Sequence, residues 1–221
     1  MSGSKRISIV SLILAAGWSA VPVSALAQEA PGVDPSDSRL VPSPVDTSDP
    51  GTTWTCRFVG TDVRCVGTLT VVWMEEEGPD DWCAVPLFSL DGAFTRTQTR
   101  YYAYDDATGE YLEYKRLVHL ESEERLTTDP EASVFVIARL NMTWKSLFQT
   151  PGDPDSRITR KQGIDTLIKR PDGGLVLLDV GQKTEDLTTA PGEDFNFRGR
   201  WDIALGDPAV EFGRVCYALG V

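Results

Sequence analysis

The sequence predicts an all-β fold, an antiparallel barrel with a short C-terminal helix, and a β-sandwich as the alternative. Three observations carry this. Apolar and polar residues alternate with a period of two from Trp54 onward. Clusters of Gly, Pro and Asp interrupt the alternation at hairpin spacing. A helical period returns only near the C-terminus. Sequential hairpins without long crossovers favour a sheet that closes on itself.

Composition bounds what such a fold can do. The 221 residues suffice for one large domain or two small ones, and 41% hydrophobic with 9% aromatic content supports a packed core. The 33 acidic against 21 basic residues give a net charge of −12. Phosphate backbones and anionic bilayers repel such a chain, so neither a nucleic-acid partner nor membrane insertion is expected.

Residues 1–27 read as a signal peptide. Lys5 and Arg6 precede an apolar stretch, and Ala25-Leu26-Ala27 offers a small-residue cleavage site. Ser8, Ser11, Gly17 and Pro22 interrupt the apolar run, which a bilayer span would need at about 20 residues. The first cysteine is Cys56, so no lipoprotein anchor is expected at that site. A mature chain starting near Gln28 would be secreted and extracellular, or periplasmic in a host with an outer membrane. Residues 28–52 are rich in Pro, Ser and Asp and poor in large apolar groups. They read as a disordered leader, unable to offset their ordering entropy, ahead of a single β domain at 53–221.

The first hairpin can be registered from the residues alone. With Gly60-Thr61 as a two-residue turn, Trp54, Cys56 and Phe58 share a face with Val63, Cys65, Gly67, Leu69, Val71 and Trp73. Cys56 then opposes Cys65, and Trp54 covers Gly67. A one-residue slip would reverse the faces. The four cysteines are even in number, as an oxidising compartment favours. Zinc is the competing use, but no C-x₂₋₄-C spacing occurs and the chain holds one histidine. Two disulfides are expected, Cys56–Cys65 and Cys83–Cys216.

Strands are expected over 94–104 and 111–120, joined by Asp105-Asp106-Ala107-Thr108-Gly109, where Leu112, Tyr114, Val118 and Leu120 alternate with Glu113, Lys115 and His119. Residues 133–144 form a β-branched, aromatic run. Strands at 163–169 and 175–180 flank the turn Pro171-Asp172-Gly173-Gly174, and 195–204 supplies a last strand. Asp207-Pro208 reads as a helix start, followed by Ala209, Phe212, Cys216 and Leu219 at helical spacing before Gly220. The total is eight or nine antiparallel strands and one short helix.

PDGGLVLLDVG at 171–181, the closing Cys216-Tyr-Ala-Leu-Gly and the hairpin TRYYAYDDATGEYLEY resemble a group of small exported proteins of high-GC Gram-positive bacteria. The resemblance covers the C-terminal part only. It implies an exported single-domain β fold, with no known activity to carry over. The barrel is of the calycin kind by architecture alone. The G-x-W signature of lipocalins is not met, because Gly51 and Trp54 stand one residue too far apart.

Few residues stand out as chemistry. His119 is the sole histidine, and without a G-x-S-x-G motif or a spare cysteine it reads as a surface residue. Asp179 interrupts an apolar run. If buried near Asp165 it could form the carboxylate pair of a hydrolase or isomerase, although a salt bridge to Arg160, Lys161 or Lys169 is the commoner fate. Glu75, Glu76, Glu77, Asp80 and Asp81 read as a solvated loop, lacking the order of a calcium loop. Tyr101, Tyr102, Tyr104, Tyr111 and Tyr114 lie on two arms of one hairpin. They are candidates to stack on a ligand or partner, or else cross-strand pairs that hold the hairpin. No metal or cofactor is expected. The leading function is a secreted binding module for a small apolar or aromatic ligand, held by the tyrosine hairpin or an aromatic-lined interior, or for a partner surface. The alternatives are an extracellular hydrolase or isomerase using Asp179 and Asp165, and an envelope-associated structural protein.

Overall fold

Gly60, at φ +66°, turns the chain between β3 (Thr53–Val59) and β4 (Asp62–Glu77). The pairing follows the expected register, with Cys56 opposite Cys65, Trp54 opposite Gly67 and Val59 opposite Asp62. A Cβ on Gly67 would stand 2.7 Å from the Trp54 ring, so the indole needs a glycine beneath it. The computed structural model describes residues 31–77, 83, 85–131, 133–188, 194–201 and 208–221. The signal-peptide reading and Asp80 and Asp81 of the acidic loop lie outside those residues, as do the side chains of Glu75, Glu76 and Glu77.

The meander continues through β5 (Phe88–Asp105), β6 (Glu110–Thr127), β7 (Val136–Phe148), β8 (Arg157–Lys169), β9 (Leu175–Asp186) and β10 (Asp194–Trp201). Two short strands precede it, β1 (Gly32–Val33) beside β3 and β2 (Leu40–Val41) parallel to β6. The sheet order is β1-β3-β4-β5-β6-β7-β8-β9-β10, and all of these neighbours are antiparallel. Among the described residues no ladder joins the two ends of this order, so the sheet is open and the expected closure is absent. The hairpin turns form where Gly, Asp and Thr were read. Gly109 and Gly173 both take positive φ, and the Asp105 and Asp172 carboxylates accept from backbone N–H groups inside their loops.

The strands run longer than expected, 18 residues in both β5 and β6, and this places two cores at opposite ends of one inner face. At one end, Val215 and Leu219 of α1 (Pro208–Leu219) pack on Leu87, Leu126, Val136, Ile168 and Leu177. Cys83–Cys216 ties this helix down, as expected. Of the expected helix stripe, Cys216 and Leu219 are buried, and the side chain of Ala209 lies outside the described residues. At the other end, Tyr102, Tyr111, Val63 and the Cys56–Cys65 disulfide surround Leu40.

Leu40 belongs to the segment expected to be disordered. From residue 31 on, that segment is a strap across the inner face, so the folded domain starts ahead of residue 53. Its few apolar residues are placed where they count: Leu40 is 1% exposed, and Val33 packs against the same core. Its backbone is satisfied by the sheet, since Tyr111 N donates to Arg39 O at 2.7 Å and Phe58 N to Pro31 O at 3.2 Å. Its turns are closed by Asp34 and Asp37, which accept from Ser36 and Arg39. The segment is ordered despite its composition because it uses the sheet's apolar surface rather than its own.

Candidate functional site

Strand parity places every second residue on one face, and β-bulges break that rule at two useful points. In β5 and β6, Tyr101 pairs with Lys115 but Tyr102 pairs with Glu113, so Tyr114 is an extra residue. The shift turns Glu113 and Arg116 to the same inner face. The expected alternation, which set Glu113 on the polar face with Lys115 and His119, therefore holds only above the bulge. Glu113 is fully buried and accepts from Arg116 Nε at 2.8 Å and Nη2 at 2.7 Å. Arg100, also fully buried, brings Nη1 to 3.8 Å from Glu113 Oε2.

The strap completes this cluster. Arg100 Nη1 donates to Thr47 Oγ1 at 2.6 Å, and its guanidinium lies 5.0 Å from the Trp54 ring centroid. Trp54 Nε1 donates to Ser48, Tyr102 donates to Pro42 O, and Arg96 forms an ion pair with Asp49. Burial holds the Arg100 pKa below its ordinary value, aided by the nearby Arg116 charge and opposed by Glu113. For Arg116 burial acts in the same direction, yet the Glu113 hydrogen bonds and charge outweigh it and hold its pKa above the ordinary value. Burial, then the Glu113 charge, pushes the Tyr102 hydroxyl well above the usual tyrosine range.

Beside the cluster, midway between the two cores, lies a cavity of about 170 Å³. Its wall draws on β5 to β9 and the strap, with Arg96, Arg116, Trp144, Arg157, Lys161 and Glu185 as its principal side chains. Val118, Ser146 and Thr159 fill between them. Trp144 faces Lys161 across the β7–β8 ladder, and the Lys161 ammonium sits 4.8 Å from the indole centroid. Lys161 Nζ also lies 3.2 Å from Glu185. Two buried donors on this wall, Trp144 Nε1 and Arg157 Nε, have no hydrogen-bond partner in the protein. Leaving such groups unmet typically costs about 1–3 kcal/mol each, so an acceptor at this wall, water or ligand, is favoured.

The sequence-predicted candidates are dispersed. Tyr102 and Tyr111 are buried in the strap-side core, whereas Tyr101 contacts Tyr114 at 6.3 Å and carries Lys115 and Arg64 over its ring. Tyr104 is exposed and packs on Tyr111 at 5.2 Å. Strand alternation sets Tyr101 and Tyr102 on opposite faces, and the ring contacts Tyr101–Tyr114 and Tyr104–Tyr111 cross the hairpin, so the five tyrosines do not form one platform. The apolar patch around Trp54, Phe58 and Val63, expected to line a ligand space, is covered by Val33 and Leu40 of the strap. Asp179 is buried at 2% exposure, across from Thr166. Asp165, the extra residue of the β8 bulge, meets Lys183 Nζ at 3.3 Å rather than Arg160, Lys161 or Lys169. His119 is half-exposed, beside Thr143 and Glu121. Among the described residues no group of three or more His, Cys, Asp or Glu side chains is placed to hold a metal ion, and no helix is long and apolar enough to cross a membrane.

Arg96, Arg116, Trp144, Arg157 and Glu185 were not singled out from the sequence, and Lys161 was named only as a salt-bridge partner. The available signal was Arg96-Thr-Gln98-Thr-Arg100, where long polar side chains hold the alternate positions that lead to buried Tyr102. No family model matches the chain, and no curated protein or solved structure matches it.

Proposed function

We propose that this is an exported binding protein that takes a small molecule within its inner sheet face. The observation that carries the reading is the cavity between the two cores, where Trp144 and Arg157 present buried donors without acceptors. Core packing alone favours apolar groups at such a place, so polar groups kept there point to recognition. The strap supports the same reading, because Thr47 forms part of the wall. The two disulfides suit an oxidising, extracytoplasmic setting. The resemblance to exported proteins agrees with this setting.

The test is a thermal-shift and tryptophan-fluorescence screen of the purified mature protein against small anionic, neutral and cationic aromatic and aliphatic compounds. A ligand should raise the melting temperature in a concentration-dependent way and change Trp144 emission saturably. No response across the panel removes the binding reading and leaves the envelope-associated structural role. Turnover of a chromogenic ester or glycoside, lost in Asp179→Asn, would instead make the protein an enzyme.

A further inference from the structure

Resting on that binding reading, we infer that the ligand is a small organic monoanion, an oxyanion group on an apolar or aromatic body, seated between Arg157, Lys161 and Trp144. Charge comes first. Four cationic side chains, Arg96, Arg116, Arg157 and Lys161, line the cavity against one carboxylate, Glu185. Three of the four already have carboxylate partners: Arg96 has Asp49, Arg116 has Glu113 and Lys161 has Glu185. Among the described residues Arg157 has none. Glu113 also serves the adjoining Arg100, so five cations here meet three carboxylates in a chain whose net charge is −12. Such a local reversal focuses anions into the site against the field of the whole molecule.

The wall also has directional chemistry. Arginine Nε–H and indole Nε1–H can only donate. Both are buried here without partners, on neighbouring strands, so the missing group is an acceptor. A carboxylate or sulfonate offers several acceptor lone pairs and the charge that Arg157 lacks, which a neutral carbonyl or a water does not combine. Size agrees. About 170 Å³ resembles the volume that admits a benzene-sized guest, or roughly five waters. Val118 and the Trp144 face offer apolar contact for such a body.

Isothermal titration with benzoate, benzenesulfonate, sodium sulfate and the neutral benzyl alcohol separates the sources of binding. Benzoate or benzenesulfonate should bind with one-to-one stoichiometry, and benzyl alcohol at least tenfold more weakly. Arg157→Gln should weaken the organic anion at least tenfold. Trp144→Phe, which keeps a ring but removes the donor, should weaken it severalfold, and serves if Arg157→Gln does not fold. Equal binding of benzyl alcohol, or unchanged benzoate affinity in a folded Arg157→Gln, overturns the anion inference and leaves the binding reading standing. Binding of sulfate with neither aromatic anion overturns the organic body. If no probe binds and the screen above is also silent, both readings fall and the cavity holds water.

Discussion

Glu113 and Arg116 lie three positions apart on one strand, yet both point inward and meet in a two-pronged ion pair at 2.8 and 2.7 Å. Strict alternation would put them on opposite faces, and the bulge at Tyr114 makes the pair. With Arg100, two guanidiniums share one carboxylate beneath the strap. Glu113→Gln leaves both cations buried without a full counter-charge. A loss of about 3–5 kcal/mol is expected, the range for breaking a buried ion pair. Urea unfolding measures it, and a loss under about 1 kcal/mol would mean the guanidiniums are solvated rather than enclosed.

The strap is structural, with Leu40 as its anchor. Leu40→Ala should cost about 2–5 kcal/mol, as large-to-small changes in closed cores do. Limited proteolysis of the native protein should spare residues 31–52, and Leu40→Ala should open them to cleavage. Rapid cutting of the unmodified strap would restore the disordered-leader reading.

The two disulfides close very different loops, with sequence separations of 9 and 133. The chain-entropy model gives about 2.7 kcal/mol for the short loop and about 5 for the long one, both upper values. Replacing Cys83 and Cys216 by serine should therefore cost more than replacing Cys56 and Cys65. It should also speed amide exchange in α1 first, since the helix then loses its covalent tie to the sheet and relies on contacts such as the packing of Val215 and Leu219. Peptide mapping that joined Cys56 to Cys83 would contradict the hairpin register.

Glu124 supplies a pH signature. Its carboxylate accepts from Ser89 at 3.0 Å, and Ser89 in turn accepts from Trp73 at 2.7 Å. Burial holds its pKa above the ordinary carboxylate range, with the Ser89 hydrogen bond opposing. A pKa raised in the folded state means that folding favours the protonated form. This contribution to stability is gained as pH falls through the folded pKa and is lost above it. Glu124→Gln should thus raise the melting temperature near neutral pH, by about 2–4 °C for each kcal/mol relieved. The difference from the unmodified protein should shrink on acidification towards about pH 4. A difference that stays constant with pH would place its origin in packing rather than charge.

The strap and the bulge show where sequence reading stops. The first hairpin, its facing cysteines and the Trp54–Gly67 contact were legible, because a two-residue turn and a period of two determine register within a dozen residues. The hairpin turns around Gly109 and Gly173 were legible for the same local reason. Glu113 was not. A bulge inserts one residue and inverts every later side chain, and nothing around Tyr114 marks it until β5 is alongside.

By itself, then, the sequence determined the antiparallel meander, both disulfides and the C-terminal helix, all of which rest on short-range periodicity, turn chemistry or cysteine count. Only the tertiary structure decided that the sheet stays open, that residues 31–52 are packed, and that an arginine-rich cavity separates the two cores. Arg96, Arg116, Trp144, Arg157 and Glu185 come from five different strands, and none is unusual where it stands in the chain. Their shared chemistry arises from proximity, since an uncompensated charge or an unmet donor exists only once neighbouring strands have excluded water from it.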